Sequence, residues 1–197
     1  MNKAESKYFN TALKMDEALI RLLERKQLEY ITVKEICEEA GVNRSTFYLH
    51  YETIDDLLTE CVERTNEKFG TYFEQNAADL IARIKDLPLE ELIFIKPEYL
   101  YPYLNFVKEN RTVFAAAINS PQGMESVQKF NSLYQFIIEP ILERFDYPGD
   151  ERRYAVSFFI NGMIAVISEW LENGCREPVE KIADVIINCI RPCINRE

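Results

Sequence analysis

Histidine occurs once in the 197-residue chain, at position 50, and tryptophan once. A single imidazole leaves no two-histidine metal motif and no histidine base beside a Ser or Cys nucleophile. The six glycines never gather into a phosphate-cradling loop. No run alternates apolar and polar residues for long enough to mark a strand. Long hydrophobic runs are missing too. The most apolar stretch, residues 154–171, is interrupted by Ser157, Asn161, Gly162, Ser168 and Glu169, which makes it a poor membrane span and a better buried helix. The N-terminus is charged and amphipathic, with no visible signal peptide. Five cysteines, at 37, 61, 175, 189 and 193, form an odd set without secretion signals and read as reduced thiols of the cytoplasm. Cys189 and Cys193 lie at i, i+4 but lack a partner pair at zinc spacing, so burial is their expected role. Positive charge is in short supply: 23 Lys and Arg against 33 Asp and Glu, a net −10. That balance argues against a generally basic nucleic-acid binder and against membrane surfaces. No catalytic constellation, cofactor or metal is expected, and the chain reads as a non-enzyme.

What is present is apolar content, 47% of residues with 12% aromatic, enough for a sizeable core. The periodicity is that of an all-α protein with about nine helices. Its organising stretch is residues 32–51. Val33, Ile36, Cys37 and Ala40 recur at i, i+3, i+4, i+7 on one helix face. Thr32 and Glu35 complete a T-x-x-E capping box before them. Gly41 is placed to close the helix in the left-handed conformation. Asn43 is a good N-cap for a second short helix, Arg44–His50. Two short helices joined by a Gly-containing turn form a helix-turn-helix, whose second helix enters the DNA major groove. Phe47 and Tyr51, at i and i+4, would pack inward. Arg44, Ser45, Thr46, Tyr48 and His50 face outward. All five are hydrogen-bond donors, and no acid occurs between Glu39 and Glu52. Such a face suits phosphates and base acceptors. A helical hairpin that merely packs is the plainer reading of the same pattern. Charge is uneven in the same sense. Residues 1–54 carry eight basic and nine acidic side chains, a net −1, and residues 55–197 carry fifteen and twenty-four, a net −9.

The run T-V-K-E-I-C-E-E-A-G-V-N-R-S-T-F-Y-L-H-Y-E-T-I-D-D-L-L resembles the N-terminal signature of the TetR family of transcriptional regulators. The likeness covers roughly residues 8–58, and A-G-V-x-x-x-T-F-Y-x-H-Y is its most specific part. The resemblance implies that Thr32 and Lys34 sit near phosphates, that Arg44, Ser45 and Thr46 approach bases, and that Tyr48 and His50 hold the backbone. The chain departs from the family at Ile54, where a lysine is usual, and Glu52 adds a negative charge beside it. Both changes weaken phosphate binding. The E-W-L-E-N-G-x-x-E-P run at 169–178 is similar to TetR-type regulatory domains of low-GC Gram-positive bacteria.

The pattern divides the chain into a helix-turn-helix domain at 1–52 and a helical regulatory domain at 53–197. A first helix at about 4–26 carries Tyr8, Ala12, Met15, Leu19, Leu22 and Leu23 as its apolar stripe and covers the helix-turn-helix. A fourth helix, capped by Thr53, runs from Ile54 to about residue 72 and is the natural lever between the domains. Further helices are expected at about 77–85 before a break at Leu87-Pro88, within 97–110 with the regular helix starting near Tyr101, at 113–118, and at 125–145 with Pro140 as a kink or break. Ser120 to Gly123 reads as a turn. A helix at 151–173, with Asp150 as N-cap, is apolar on nearly every face, so both its sides need covering, one by a second copy of the chain. A last helix starts at Pro178 as its first residue. Phe159, Met163, Val166, Trp170, Ile182, Ile186, Cys189 and Ile190 are the expected homodimer interface, a twofold four-helix bundle that presents paired modules to a pseudo-palindrome.

Between lever and dimer helices the chain is rich in aromatics. Tyr103, Phe106, Phe114, Phe130, Tyr134 and Phe158 line either a ligand cavity or ordinary core. A tyrosine excess points to the cavity, because a buried hydroxyl needs a partner, and the family resemblance implies a small effector there. The sequence thus describes a ligand-responsive, dimeric regulator that binds double-stranded DNA. It acts as a repressor released from a pseudo-palindromic operator by a small effector, without a membrane partner. The alternative is an all-α adaptor whose helix-turn-helix contacts a protein, motivated by Glu52, Ile54 and the acidic body.

Overall fold

The computed structural model describes residues 3–86, 97–131 and 135–190, and every regular element among them is helical. In chain order these are α1 (Lys3–Leu23), a 3-10 turn (Leu28–Tyr30), α2 (Val33–Ala40), α3 (Arg44–His50), α4 (Ile54–Asp86), α5 (Pro97–Glu109), α6 (Arg111–Ile118), α7 (Pro121–Asn131), α8 (Gln135–Arg144), α9 (Gly149–Glu172) and α10 (Val179–Ile190). The all-α expectation holds, with ten helices among the described residues against the nine anticipated. The lever does not stop near residue 72. No Gly or Pro interrupts residues 71–86, so α4 absorbs the short helix expected at 77–85. Of the helix expected at 125–145, α7 and α8 are the described parts, residues 132–134 lie outside the described residues, and Pro140 lies inside α8. α5 begins at Pro97 and not at Tyr101. A proline at the first helical position gives up no helical bond, whereas Pro102 lies inside the helix and cannot donate the bond to the carbonyl four residues before it.

Two compact units emerge. The first comprises Met1–Thr65 with Thr112–Val127, the second Asn66–Arg111 with Gln128–Glu197, and α4 runs through both. In the first, Met15, Leu19, Ile36, Phe47, Leu57 and Leu58 are wholly buried and join α1, α2, α3 and the start of α4. A buried ion pair ties α1 to α4 (the Arg64 guanidinium grips both Asp16 carboxylate oxygens, one of them at 2.5 Å) and reaches Tyr51 Oη at 3.3 Å. Thr53 and Asp56 cap α4 reciprocally, Thr53 N–H donating to Asp56 at 2.8 Å and Asp56 N–H to Thr53 Oγ1 at 3.1 Å. The expected turn at Ser120 is a helix start: Pro121 opens α7 and Ser120 Oγ accepts from Gly123 N–H at 3.3 Å. The same hydroxyl donates to Asp55 in the first turn of α4 at 2.8 Å. Gly123 is required there, because a Cβ would lie 2.7 Å from the Ala117 carbonyl oxygen.

In the second unit α5 and α9 pack on α10, and α8 packs on α9. α9 starts at Gly149 with Pro148 before it, so Asp150 lies within the first turn and is not the cap. Pro148 accepts the first helical bonds from Glu151 and Arg152. Likewise Pro178 precedes α10, and its carbonyl accepts from Lys181 and Ile182. α9 is long and apolar enough, by composition, to cross a membrane. Seven of its side chains, from Val156 to Leu171, are buried in protein core instead.

Candidate nucleic-acid interface

The helix-turn-helix is built by caps. Thr32, in extended conformation, accepts from Glu35 N–H at 3.3 Å, and the Glu35 carboxylate accepts from Thr32 N–H at 3.0 Å. Lys26 Nζ donates to the same carboxylate at 2.6 Å. Those hydrogen bonds, from Lys26 first and Thr32 second, hold the Glu35 carboxyl at a pKa of about 2, against an ordinary 4.5. Gly41 terminates α2 at φ 67°, and Val42 N–H reaches back to the Cys37 carbonyl at 2.9 Å. Asn43 Oδ1 then accepts from Thr46 N–H at 2.8 Å and starts α3. The same oxygen accepts from the Ser45 and Thr46 hydroxyls, at 2.6 and 2.8 Å. Three donors on one acceptor fix the first turn of α3.

Phe47 is wholly buried and Tyr51 nearly so, as the i, i+4 pattern requires. Burial also pushes the Tyr51 phenol up. Outward, Arg44, Ser45 and Tyr48 are exposed, and Thr46 and His50 are half-buried. Lys34 and Thr32 are exposed on α2 and its cap, Lys34 3.7 Å from Glu38. Thr32, Lys34, Arg44, Ser45, Thr46, Tyr48 and His50 therefore belong to one unit on two consecutive helices, with no acid between Glu39 and Glu52.

Two features lay outside the sequence reading. Tyr8, read as part of the α1 core stripe, is 53% exposed and stacks on the His50 ring, centroids 3.8 Å apart and planes 20° off parallel. Its position one turn before Ala12 hid this, because the stripe runs past the end of the core. Leu49 is 76% exposed at the end of α3, the largest exposure among the exposed large apolar side chains. Its place between Tyr48 and His50 was the available signal. Burial pushes the His50 pKa below its ordinary 6.5.

The other expected site residues lie apart. Tyr103 is buried in the second unit and Phe106 is half-buried there, both against Phe69. Phe114 is buried in the first unit. Phe158 is 64% exposed, so in the single chain it lines no interior. The Phe130 and Tyr134 side chains lie outside the described residues. Of the expected dimer face, Phe159, Met163, Trp170, Ile182 and Ile186 are buried in the chain's own core. Val166 is half-buried, Cys189 is exposed, contrary to its expected burial, and the Ile190 side chain and Cys193 are not among those described. The periodicity anticipated the burial of Phe159, Met163, Trp170, Ile182 and Ile186 but not what covers them.

Comparison with known proteins bears on both halves. Residues 17–61 match the model of bacterial regulatory proteins of the tetR family, and residues 97–192 match a transcriptional regulator C-terminal region. The HTH-type transcriptional regulator YxbF of Bacillus subtilis is 32% identical over 103 residues, which cover 52% of this chain and 25% of that protein. YwcC, another HTH-type transcriptional regulator of Bacillus subtilis, is 25% identical over 142 residues, 70% of this chain and 62% of that one. The chain thus spans between a quarter and two thirds of the length of these relatives. A TetR transcriptional regulator from Rhodococcus sp. RHA1 shares the fold with a TM-score of 0.61 at 15% identity, over 98% of this chain and all of that one. The capped helix-turn-helix and the two family matches, at residues 17–61 and 97–192, place the chain in the TetR family of transcriptional regulators.

Proposed function

We propose that the chain is a cytoplasmic, homodimeric repressor that binds a pseudo-palindromic operator in double-stranded DNA and leaves it when a small effector binds. The observation that carries this reading is the outer face of α3. Arg44, Ser45, Thr46, Tyr48 and His50 give it five donors and no negative charge, on a helix whose start is fixed by Asn43. Arg44 and the two hydroxyls would read base edges, and Tyr48, His50, Thr32 and Lys34 would hold phosphates. No catalytic role is assigned.

The burial of Phe159, Met163 and Trp170 moves the proposed dimer face round α9. Tyr154, Ser157, Phe158, Asn161, Gly162 and Ala165 form its exposed stripe, with Tyr154 and Phe158 63% and 64% exposed. Large apolar side chains rimming small ones suit a second helix packed close, and Val166 and Cys189 would lie at the margin. An effector acts by favouring one of two body states; α4, shared by both units, would carry the difference to the DNA module. Replacing Arg44 or Tyr48 by alanine should weaken operator binding about tenfold or more while the oligomeric state stays the same. Equal affinity in wild type and both variants would remove the assignment.

A further inference from the structure

Asn66 is a polar side chain more than nine-tenths buried in the second unit, and its Oδ1 has no hydrogen-bond partner among the described residues. A buried amide oxygen left unpaired is unfavourable, and buried polar atoms are rarely left so without a reason. Asn66 stands one helical turn before Phe69 on α4, so the two side chains share a face. The Phe69 ring lies 5.7 Å from that of Tyr103 and 4.9 Å from that of Phe106, centroid to centroid. An acceptor thus sits at the edge of a three-ring aromatic cluster joining α4 and α5.

We propose that this cluster is the effector subsite and that Asn66 Oδ1 receives a hydrogen bond from the effector. This rests on the regulator reading above and narrows it. The ligand class follows from the chemistry of the acceptor. It has an aromatic or apolar body that packs on Phe69, Tyr103 and Phe106, and at one end a neutral or cationic donor, a hydroxyl or an N–H. An ether or methyl in that place leaves Oδ1 unpaired, and a carboxylate faces it with like partial charge. Sites built around a hydrogen bond reject analogues lacking it far more strongly than apolar pockets reject a size change. Asn66 lies on α4, which begins in the unit that holds the helix-turn-helix, so occupancy at this atom acts on α4 directly.

The test uses the full-length protein and three matched probe pairs: phenol and anisole, 2-naphthol and 2-methoxynaphthalene, 4-phenylphenol and 4-methoxybiphenyl. Binding is measured by calorimetry, with 2-naphthoate as the anionic control. The hydroxyl member of at least one pair should bind tenfold or more tighter than its ether, and the naphthoate should not compete. In Asn66→Leu the preference should vanish, while the unliganded variant is as stable as wild type or more so, having lost an unpaired polar atom. In Asn66→Asp, which keeps an acceptor, the preference should persist. Equal binding within every pair, a preference that survives Asn66→Leu, or no binding by any probe overturns the subsite. Wild-type probe binding needs no variant to fold, and operator binding of the same samples is read separately. A donor preference without any DNA binding would condemn the regulator reading and leave the subsite standing.

Discussion

Glu35 and His50 titrate in the same acid-sensitive sense for different reasons. Glu35 is held ionised by Lys26 and Thr32, so the folded state releases its proton at about 2 and the unfolded state at 4.5. Between those values the unfolded chain binds more protons; the cap's stabilisation is complete above 4.5 and disappears as the pH falls towards 2. Glu35→Gln should flatten that part of the acid-unfolding curve. An unaltered curve would mean that the ionisation of Glu35 contributes nothing. His50 is kept neutral by burial beneath Tyr8, its pKa below 6.5. Here too the unfolded state takes up the proton first, so stability rises with pH through the interval below 6.5 and is complete above it. Tyr8→Ala should return the imidazole towards 6.5, followed by its ring-proton shifts in NMR. No movement would place the burial elsewhere.

At the scale of elements, the caps of the helix-turn-helix were the legible part of the chain. Thr32, Glu35, Gly41 and Asn43 stand where the sequence placed them because capping is local: each side chain needs only its own backbone neighbours. Helix lengths and partners were harder to read. A proline can open a helix as well as break one, and α5 and α7 both open on prolines. α9 is apolar on nearly every face in sequence, and which stripe meets the chain's own α8 and α10 depends on packing that no periodicity contains. The site followed the same rule. The donor face of α3 was visible in sequence, while Tyr8 on His50 and the rings of Tyr103 and Phe106 against Phe69 depend on helices brought together in space. Two substitutions test the elements. Gly123→Ala drives a methyl into the Ala117 carbonyl and should destabilise by about 1–3 kcal/mol. Asp16→Ala removes the bidentate partner of Arg64, which keeps Glu60 and Tyr51, and should cost about 1.5–3 kcal/mol. Both are read from denaturant midpoints, and losses below about 0.5 kcal/mol would contradict the packing described.

For the whole molecule, charge asymmetry and self-association are the testable properties. The acidity of residues 55–197 lies mainly outside the helix-turn-helix, so a net −10 is compatible with a DNA-binding face. Phe158→Glu places a charge in the middle of the exposed α9 stripe and should turn a dimer into a monomer without lowering helix content. Light scattering gives the answer directly, and an intact dimer would put the interface elsewhere. A monomer so made should lose operator affinity, since two modules bound together gain far more than one.

The central claim is that α3 reads DNA, and selection of fragmented DNA from the source cell at low and moderate salt tests it most directly. The account predicts recovery of one or a few pseudo-palindromic sites, with binding that falls steeply as salt rises and is lost in Arg44→Ala. A well-folded dimer that enriches no site at either salt would contradict it and turn the search to a protein partner for the helix-turn-helix.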